Sequence, residues 1–172
     1  IAGSDPQLLV LRRVLRITEA TGTRVVYFAL LHESAAARRR LIELCGRGEF
    51  LARQIAAHPM LLDELIDERT EPPSRASLAQ DLQLVMQQLS DEDPERQVEA
   101  LCHFQQVAFF RIAVADLAER LPIMKVSDRL TDVAELIVER AIELGWRQMT
   151  QQSGVPMCGE GAARRPVRIA AA

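Results

Sequence analysis

At 172 residues the chain is long enough for one compact domain with a sizeable core, and short for two domains of typical size. With 48% apolar and 26% charged residues and no apolar run of bilayer length, the composition excludes a disordered tail and a membrane helix and predicts a soluble protein. A formal net charge of -3 argues against a dominant grip on phosphate backbones, so nucleic acid is not an expected partner, although arginines cluster at Arg12, Arg13, Arg16 and at Arg38, Arg39, Arg40.

Asp5-Pro6 is a helix opening, an acceptor at the N-cap followed by proline at the first helical position, and Leu8, Leu11 and Leu15 then recur on one face to about Ala20. Gly22 breaks this helix. The apolar run Val25, Val26, Phe28, Leu30, Leu31 fits helix or strand by periodicity, and its helical surroundings favour helix. Ser34 caps the next helix, whose stripe Leu41, Leu44, Cys45 lies opposite Arg38, Arg39 and Arg40, read as a solvated face; Gly46 and Gly48 end it. Another helix runs from Glu49 to Ala57 with Phe50, Leu51 and Ile55, and Pro59 restarts a short one through Leu65 and Ile66.

After the linker Glu71-Pro72-Pro73-Ser74, an amphipathic helix carries Leu78, Leu82, Val85, Met86 and Leu89. Asp93-Pro94 opens a long helix that keeps its spacing through Leu121, up to Pro122, and would span roughly 40 Å at about 1.5 Å per residue. Ser127 is expected to cap a last long helix bearing Leu130, Val133, Leu136, Ile137 and Leu144, with Gly154 as its stop. The expected fold is all-α, a helical bundle in which two long antiparallel helices form the spine and several shorter ones surround them. Residues 1–154 are its helical domain. Residues 155–172 turn to glycine, proline and arginine and read as a connector, and Pro166 to Ala170 resembles a β-strand opening that then stops. The start of the chain lacks the uninterrupted apolar centre of a signal peptide, so the sequence is expected to be a piece of a longer protein.

Chemistry is sparse. Cys45, Cys102 and Cys158 form no CxxC pair, which indicates neither a disulfide framework nor a zinc site and fits a reducing cytoplasm. Gly3-Ser4-Asp5 has half of a nucleotidyltransferase turn but lacks the second carboxylate, and Asp91-Glu92-Asp93 precedes a helix start; both read as caps. His32, His58 and His103 lack a partner at i+3 or i+4, and Cys102-His103 point about 100° apart on a helix. No catalytic, cofactor-binding or metal-binding residue is expected. Arg111 and Asp116, within the most apolar part of the long helix, predict a partly buried ionic network, with Asp116 reaching Arg120 at i+4; fixing helix register is favoured over facing a partner.

Three stretches resemble one family, the bifunctional glutamine synthetase adenylyltransferase/adenylyl-removing enzymes. They are His58-Pro59-Met60-Leu61-Leu62-Asp63-Glu64-Leu65-Ile66-Asp67, then Phe110-Arg111-Ile112-Ala113-Val114-Ala115-Asp116-Leu117, then Leu121-Pro122-Ile123-Met124-Lys125-Val126-Ser127-Asp128-Arg129-Leu130-Thr131. His58, Pro59, Leu62, Asp63, Glu64, Leu65, Arg111, Asp116, Lys125, Ser127, Asp128 and Leu130 carry this signature, with structural roles expected. The resemblance implies the helical region ahead of the C-terminal nucleotidyltransferase domain of an enzyme that attaches AMP from ATP to a tyrosine of glutamine synthetase and removes it by phosphorolysis. ATP and Mg2+ are implied for that parent enzyme and no cofactor for this piece. Implied partners are glutamine synthetase, the PII signal protein and the flanking catalytic domains. The expected role is to couple or position those domains; a passive spacer or a docking module is the alternative.

Overall fold

The computed structural model describes residues 5–22, 25–65, 72–90, 93–160 and 164–167, with the side chain of Leu30 excepted. They form α1 (Pro6–Thr21), α2 (Val25–Glu33), α3 (Ala35–Arg47), α4 (Glu49–Ala57), a 3-10 helix (Pro59–Leu65), α5 (Arg75–Gln87), α6 (Pro94–Leu117), α7 (Ile123–Ser153) and a two-stranded ribbon of β1 (Met157–Cys158) and β2 (Arg165–Pro166). The fold class is all-α. Local chemistry sets most boundaries. The Asp5 carboxylate accepts the Gln7 N–H at 3.0 Å at the start of α1, and Gly22, at φ 60°, ends it. The Ser34 hydroxyl accepts the Ala37 N–H at 3.1 Å, Ser74 and Ser77 cap α5 reciprocally, and the Asp93 carboxylate accepts the Arg96 N–H at 3.1 Å. Val25 to Glu33, ambiguous by periodicity, is helical.

Two boundaries depart from expectation. The first long helix stops at Leu117, short of Pro122. The Arg120 N–H donates to the Ala115 carbonyl at 3.0 Å and the Glu119 N–H to the Asp116 carbonyl at 2.8 Å, the paired bonds of a Schellman cap, with Glu119 in the left-handed region at φ 55°. The second long helix begins at Ile123, so Ser127 lies inside it and is not its cap. The Pro122 carbonyl accepts from Lys125 at 2.7 Å and Val126 at 3.1 Å, nucleating the first turn four residues ahead of the serine. Ile66, placed by periodicity at the end of the Pro59 helix, lies outside the described residues, as do Gly3, Ser4, Asp91, Glu92 and residues 168–170 of the supposed strand opening.

The chain forms two compact units, residues 1–73 with 107–127 and residues 74–106 with 128–172. In the first, α1 packs on α3 and α4, and both pack on the 3-10 helix. Ile17, Leu41, Leu44, Leu51, Ile55, Leu61, Leu62 and Phe110 close one buried cluster. Each such side chain contributes about 1.5–3 kcal/mol by leaving water. In the second unit Leu78, Leu82 and Met86 of α5 are buried at four-residue spacing, and Leu101 and Phe104 of α6 and Val133 and Leu144 of α7 are buried as well. Met157 pairs antiparallel with Pro166 and Cys158 with Arg165 in the ribbon.

Glu119 carries a Cβ where a C′ position prefers glycine. An L-residue in that conformation costs about 1–2 kcal/mol, and glycine loses about 0.5–1 kcal/mol more backbone entropy on folding. Glu119→Gly should therefore stabilise the chain by about 0.5–1 kcal/mol in urea titration; a loss of stability would show that the glutamate side chain holds the turn.

Candidate functional site

A charged concavity lies in the first unit, a cavity of ≈ 220 Å³. Arg40, Glu43, Leu44 and Arg47 reach it from α3, spaced so that one helical face presents them together. The end of the 3-10 helix supplies Glu64 and Leu65. The last turns of α6 and its cap supply Phe110, Arg111, Val114, Ala115, Leu117, Ala118 and Arg120. Four guanidiniums and two carboxylates thus surround an apolar floor.

Two of the arginines are held in place by main-chain oxygens. Arg40 donates to the Leu65 carbonyl at 2.9 Å, the last residue of the 3-10 helix, and Arg47 donates to the Leu117 carbonyl, the last residue of α6. Each thereby caps a helix C-terminus whose carbonyls lack intrahelical donors, where positive charge is also favoured by the helix dipole. Arg47 also pairs with Glu43 at 3.0 Å. Arg111, with only 15% of its side chain exposed, lies 3.9 Å from the Glu64 carboxylate. The pair joins two signature stretches that are far apart in sequence.

The ionic network expected along α6 is therefore arranged differently. Arg111 reaches across to Glu64, and Arg120 lies beyond the Schellman cap, so Asp116 and Arg120 do not share helical i+4 geometry. Among the other signature residues, Leu62 and Leu65 are buried in the core, His58 is the C-cap of α4, Pro59 opens the 3-10 helix, Asp63 is exposed, and the carbonyl of half-buried Asp116 accepts in the Schellman cap. Lys125, Ser127, Asp128 and Leu130 lie exposed on the first two turns of α7, outside the cavity lining. Sequence reasoning missed Glu43 and Arg47 and misread Arg40, which is half-buried and bonded where a solvated face was expected. The available signal was the i, i+3, i+7 spacing of Arg40, Glu43 and Arg47 beside the Leu41 and Leu44 stripe.

The remaining candidates have structural surroundings. Asp5 and Asp93 are caps, His32 and His103 are exposed, and among the described residues no three His, Cys, Asp or Glu side chains gather as a metal site. No described helix is long and apolar enough to cross a membrane. Cys102 and Cys158 are exposed; Cys45 is buried, and desolvation pushes its thiol up to about 11, opposed in part by the nearby Arg13 charge. In the second unit Arg75, at the start of α5, faces three carboxylates of α7: Asp132 at 3.2 Å, Glu135, and Glu139 at 3.9 Å. Hydrogen bonds to Glu135 and then Asp132 hold its guanidinium even more firmly protonated than usual.

The sequence profile of glutamate-ammonia ligase adenylyltransferases matches residues 38–171. The chain is 42% identical over 160 residues to the bifunctional glutamine synthetase adenylyltransferase/adenylyl-removing enzyme of Pseudomonas aeruginosa, covering 92% of this chain and 16% of that protein. The enzyme of the same name from Mannheimia succiniciproducens is 42% identical over 149 residues, covering 86% and 15%, and that from Nitrosococcus oceani is 40% identical over 146 residues, covering 84% and 15%. The chain thus spans about one sixth of the length of these curated relatives.

Two measurements bear on these sites. The raised Cys45 thiol keeps its proton in the folded state after the unfolded chain has lost it, so its contribution to stability is complete below about pH 9 and disappears as pH rises to about 11. Denaturant titrations across that window should show wild type losing on the order of 2 kcal/mol more than Cys45→Ala; parallel losses would refute the assignment. Glu64→Gln removes the carboxylate paired with a largely buried guanidinium and should destabilise the chain by about 1–2 kcal/mol, less than a dry, tightly bonded pair because the ions are 3.9 Å apart and partly wet.

Proposed function

Because this chain belongs to the glutamate-ammonia ligase adenylyltransferase family, we propose that it serves as a non-catalytic helical part of an enzyme that adenylylates and deadenylylates glutamine synthetase. In this reading residues 1–154 position or couple two nucleotidyltransferase domains, and residues 155–172 lead into the C-terminal one. ATP, Mg2+ and the carboxylates that would hold the metal belong to those domains, the setting is the cytoplasm, and the PII protein supplies regulatory input. The observation that carries the reading is the meeting of two signature stretches at Glu64 and Arg111, beside a cavity walled by α3 and the end of α6. Signature residues that hold helices in register fit a part that transmits position.

A test grafts this chain in place of the corresponding segment of the Pseudomonas aeruginosa enzyme and introduces Glu64→Lys, which opposes like charges at the pair. Adenylylation and deadenylylation rates should then change unequally, by about 2- to 30-fold in their ratio, the range of typical coupling energies. Two rates that stay unchanged, with an unchanged response to effectors, would reduce the segment to a spacer.

The docking alternative has its own observation. Val25 and Val26 of α2 are 74% and 72% exposed, and Ile123 and Met124 of α7 are each 74% exposed. A docking surface would have to gather such residues into a contiguous apolar patch. Calorimetric titration against glutamine synthetase, and against PII protein with and without uridylylation, would give saturable heats if this reading holds and none for a spacer.

A further inference from the structure

We infer that the groove between α6 and α7 in the second unit seats an apolar helix from another part of the same enzyme, an inference that rests on the reading of this chain as one piece of a longer protein. The groove has a volume of ≈ 310 Å³. Its walls use one face of each helix at matching spacing: Val98, Leu101 and Cys102 of α6 stand at i, i+3 and i+4, as do Ala141, Leu144 and Gly145 of α7. Gln105 and Gln148 add amides, and none of the lining residues is Asp, Glu, Lys or Arg. A Cβ at Gly145 would meet nothing within 4 Å, so the groove is open there. How closely helices approach depends on the side chains between them, and alanine and glycine let a third one come near.

The open surface continues from the groove along α7. Leu130, Val138, Ile142 and Met149 are exposed, and helical spacing puts them on one face with Ala134, Ala141 and Gly145. That face runs for about 30 Å at about 1.5 Å per residue. The charges of α7 lie off it: Asp132, Glu135 and Glu139 are turned to Arg75 of α5, and Arg140 pairs with Glu143. Apolar side chains, methionine and an absence of charge are the composition of an interface core, and the length suits a helix lying along α7. The side of that helix in contact would carry apolar residues at i, i+3, i+4 and i+7. Chain length argues for its source. The curated relatives are about six times as long as the stretch matched here, so most of the polypeptide able to cover this face is covalently joined to it. A tethered segment acts at an effective concentration of about millimolar for a short linker, well above that of a second copy in dilute solution.

Cys102, exposed and in the groove wall, reports on the occupant. Its alkylation by iodoacetamide would be followed, by mass spectrometry of its peptide, in the 172-residue chain and in the Pseudomonas aeruginosa enzyme carrying this chain as its corresponding segment. Adenylylation and deadenylylation rates of the same graft report separately on the coupling reading. Labelling is expected to be at least about tenfold slower in the graft, as for a site held closed by a tethered segment. Gly145→Leu should leave the Tm of the isolated chain unchanged or raised, because the position is open, and should remove most of the protection in the graft by filling the groove. Circular dichroism verifies folding of the isolated variant, and Ala141→Leu takes its place should it unfold. Equal labelling in the two proteins, or protection that survives in the folded leucine variant, would overturn the proposal. So would labelling of the 172-residue chain that slows as its concentration rises, which would assign the groove to a second copy.

Discussion

Short helices leave many main-chain carbonyls without a donor, and the first unit depends on arginine to supply them. Its elements are brief: nine residues in α2, thirteen in α3, nine in α4, seven in the 3-10 helix. Every helix end presents up to four carbonyls that its own turns cannot satisfy. Arg13 donates to the Cys45 carbonyl at 2.5 Å in the last turn of α3, and Arg38 to Leu31 and His32 at 2.6 Å in the last turn of α2. Arg40 and Arg47 do the same for the 3-10 helix and α6. Each arginine comes from a different element than the one it caps, so the bonds that finish the helices also tie them together.

This arrangement explains why charge collects where the apolar core ends. Leu44, Leu65 and Phe110 belong both to the buried cluster and to the cavity floor, while Arg40 and Arg47 extend from the same face of α3 toward helix ends. A lysine could offer a point charge there but not a planar guanidinium, whose Nη1 in Arg38 donates to two successive carbonyls while the rest of the group keeps further donors. The Glu64–Arg111 pair is less a source of stability than of register, because a partly buried ion pair recovers little of its desolvation cost yet fixes which turn faces which.

Much of the fold was legible where a boundary is written in local chemistry. Asp5-Pro6, Gly22, Ser34 and Asp93-Pro94 each act within four residues of themselves, and each marks a real helix end. The end of α6 was hidden because Glu119 takes the left-handed position without the usual glycine, and the start of α7 because a proline carbonyl did the work expected of Ser127. The cavity was only half legible. The family signature brought out Glu64, Leu65 and Arg111, and spacing puts Arg40 on one face with Glu43 and Arg47, but the carbonyl that holds Arg40 lies twenty-five residues away and leaves no local trace. The interleaving of the two units, with the chain leaving the first at residue 73 and returning at 107, is likewise set by packing over distances that periodicity does not sense.

Lys125 is the only lysine in the chain, and its near-total use of arginine for positive charge carried no structural meaning as composition. With four guanidiniums seated on helix carbonyls it acquires a practical one. A guanidinium salt is a soluble copy of the group that completes these helix ends, whereas urea is uncharged and leaves ion pairs largely unscreened. The two denaturants therefore do not probe the same molecule: one attacks apolar burial and the peptide group, and the other additionally substitutes for the keystones. Unfolding curves from guanidinium chloride will understate how firmly the first unit is held in ordinary buffer.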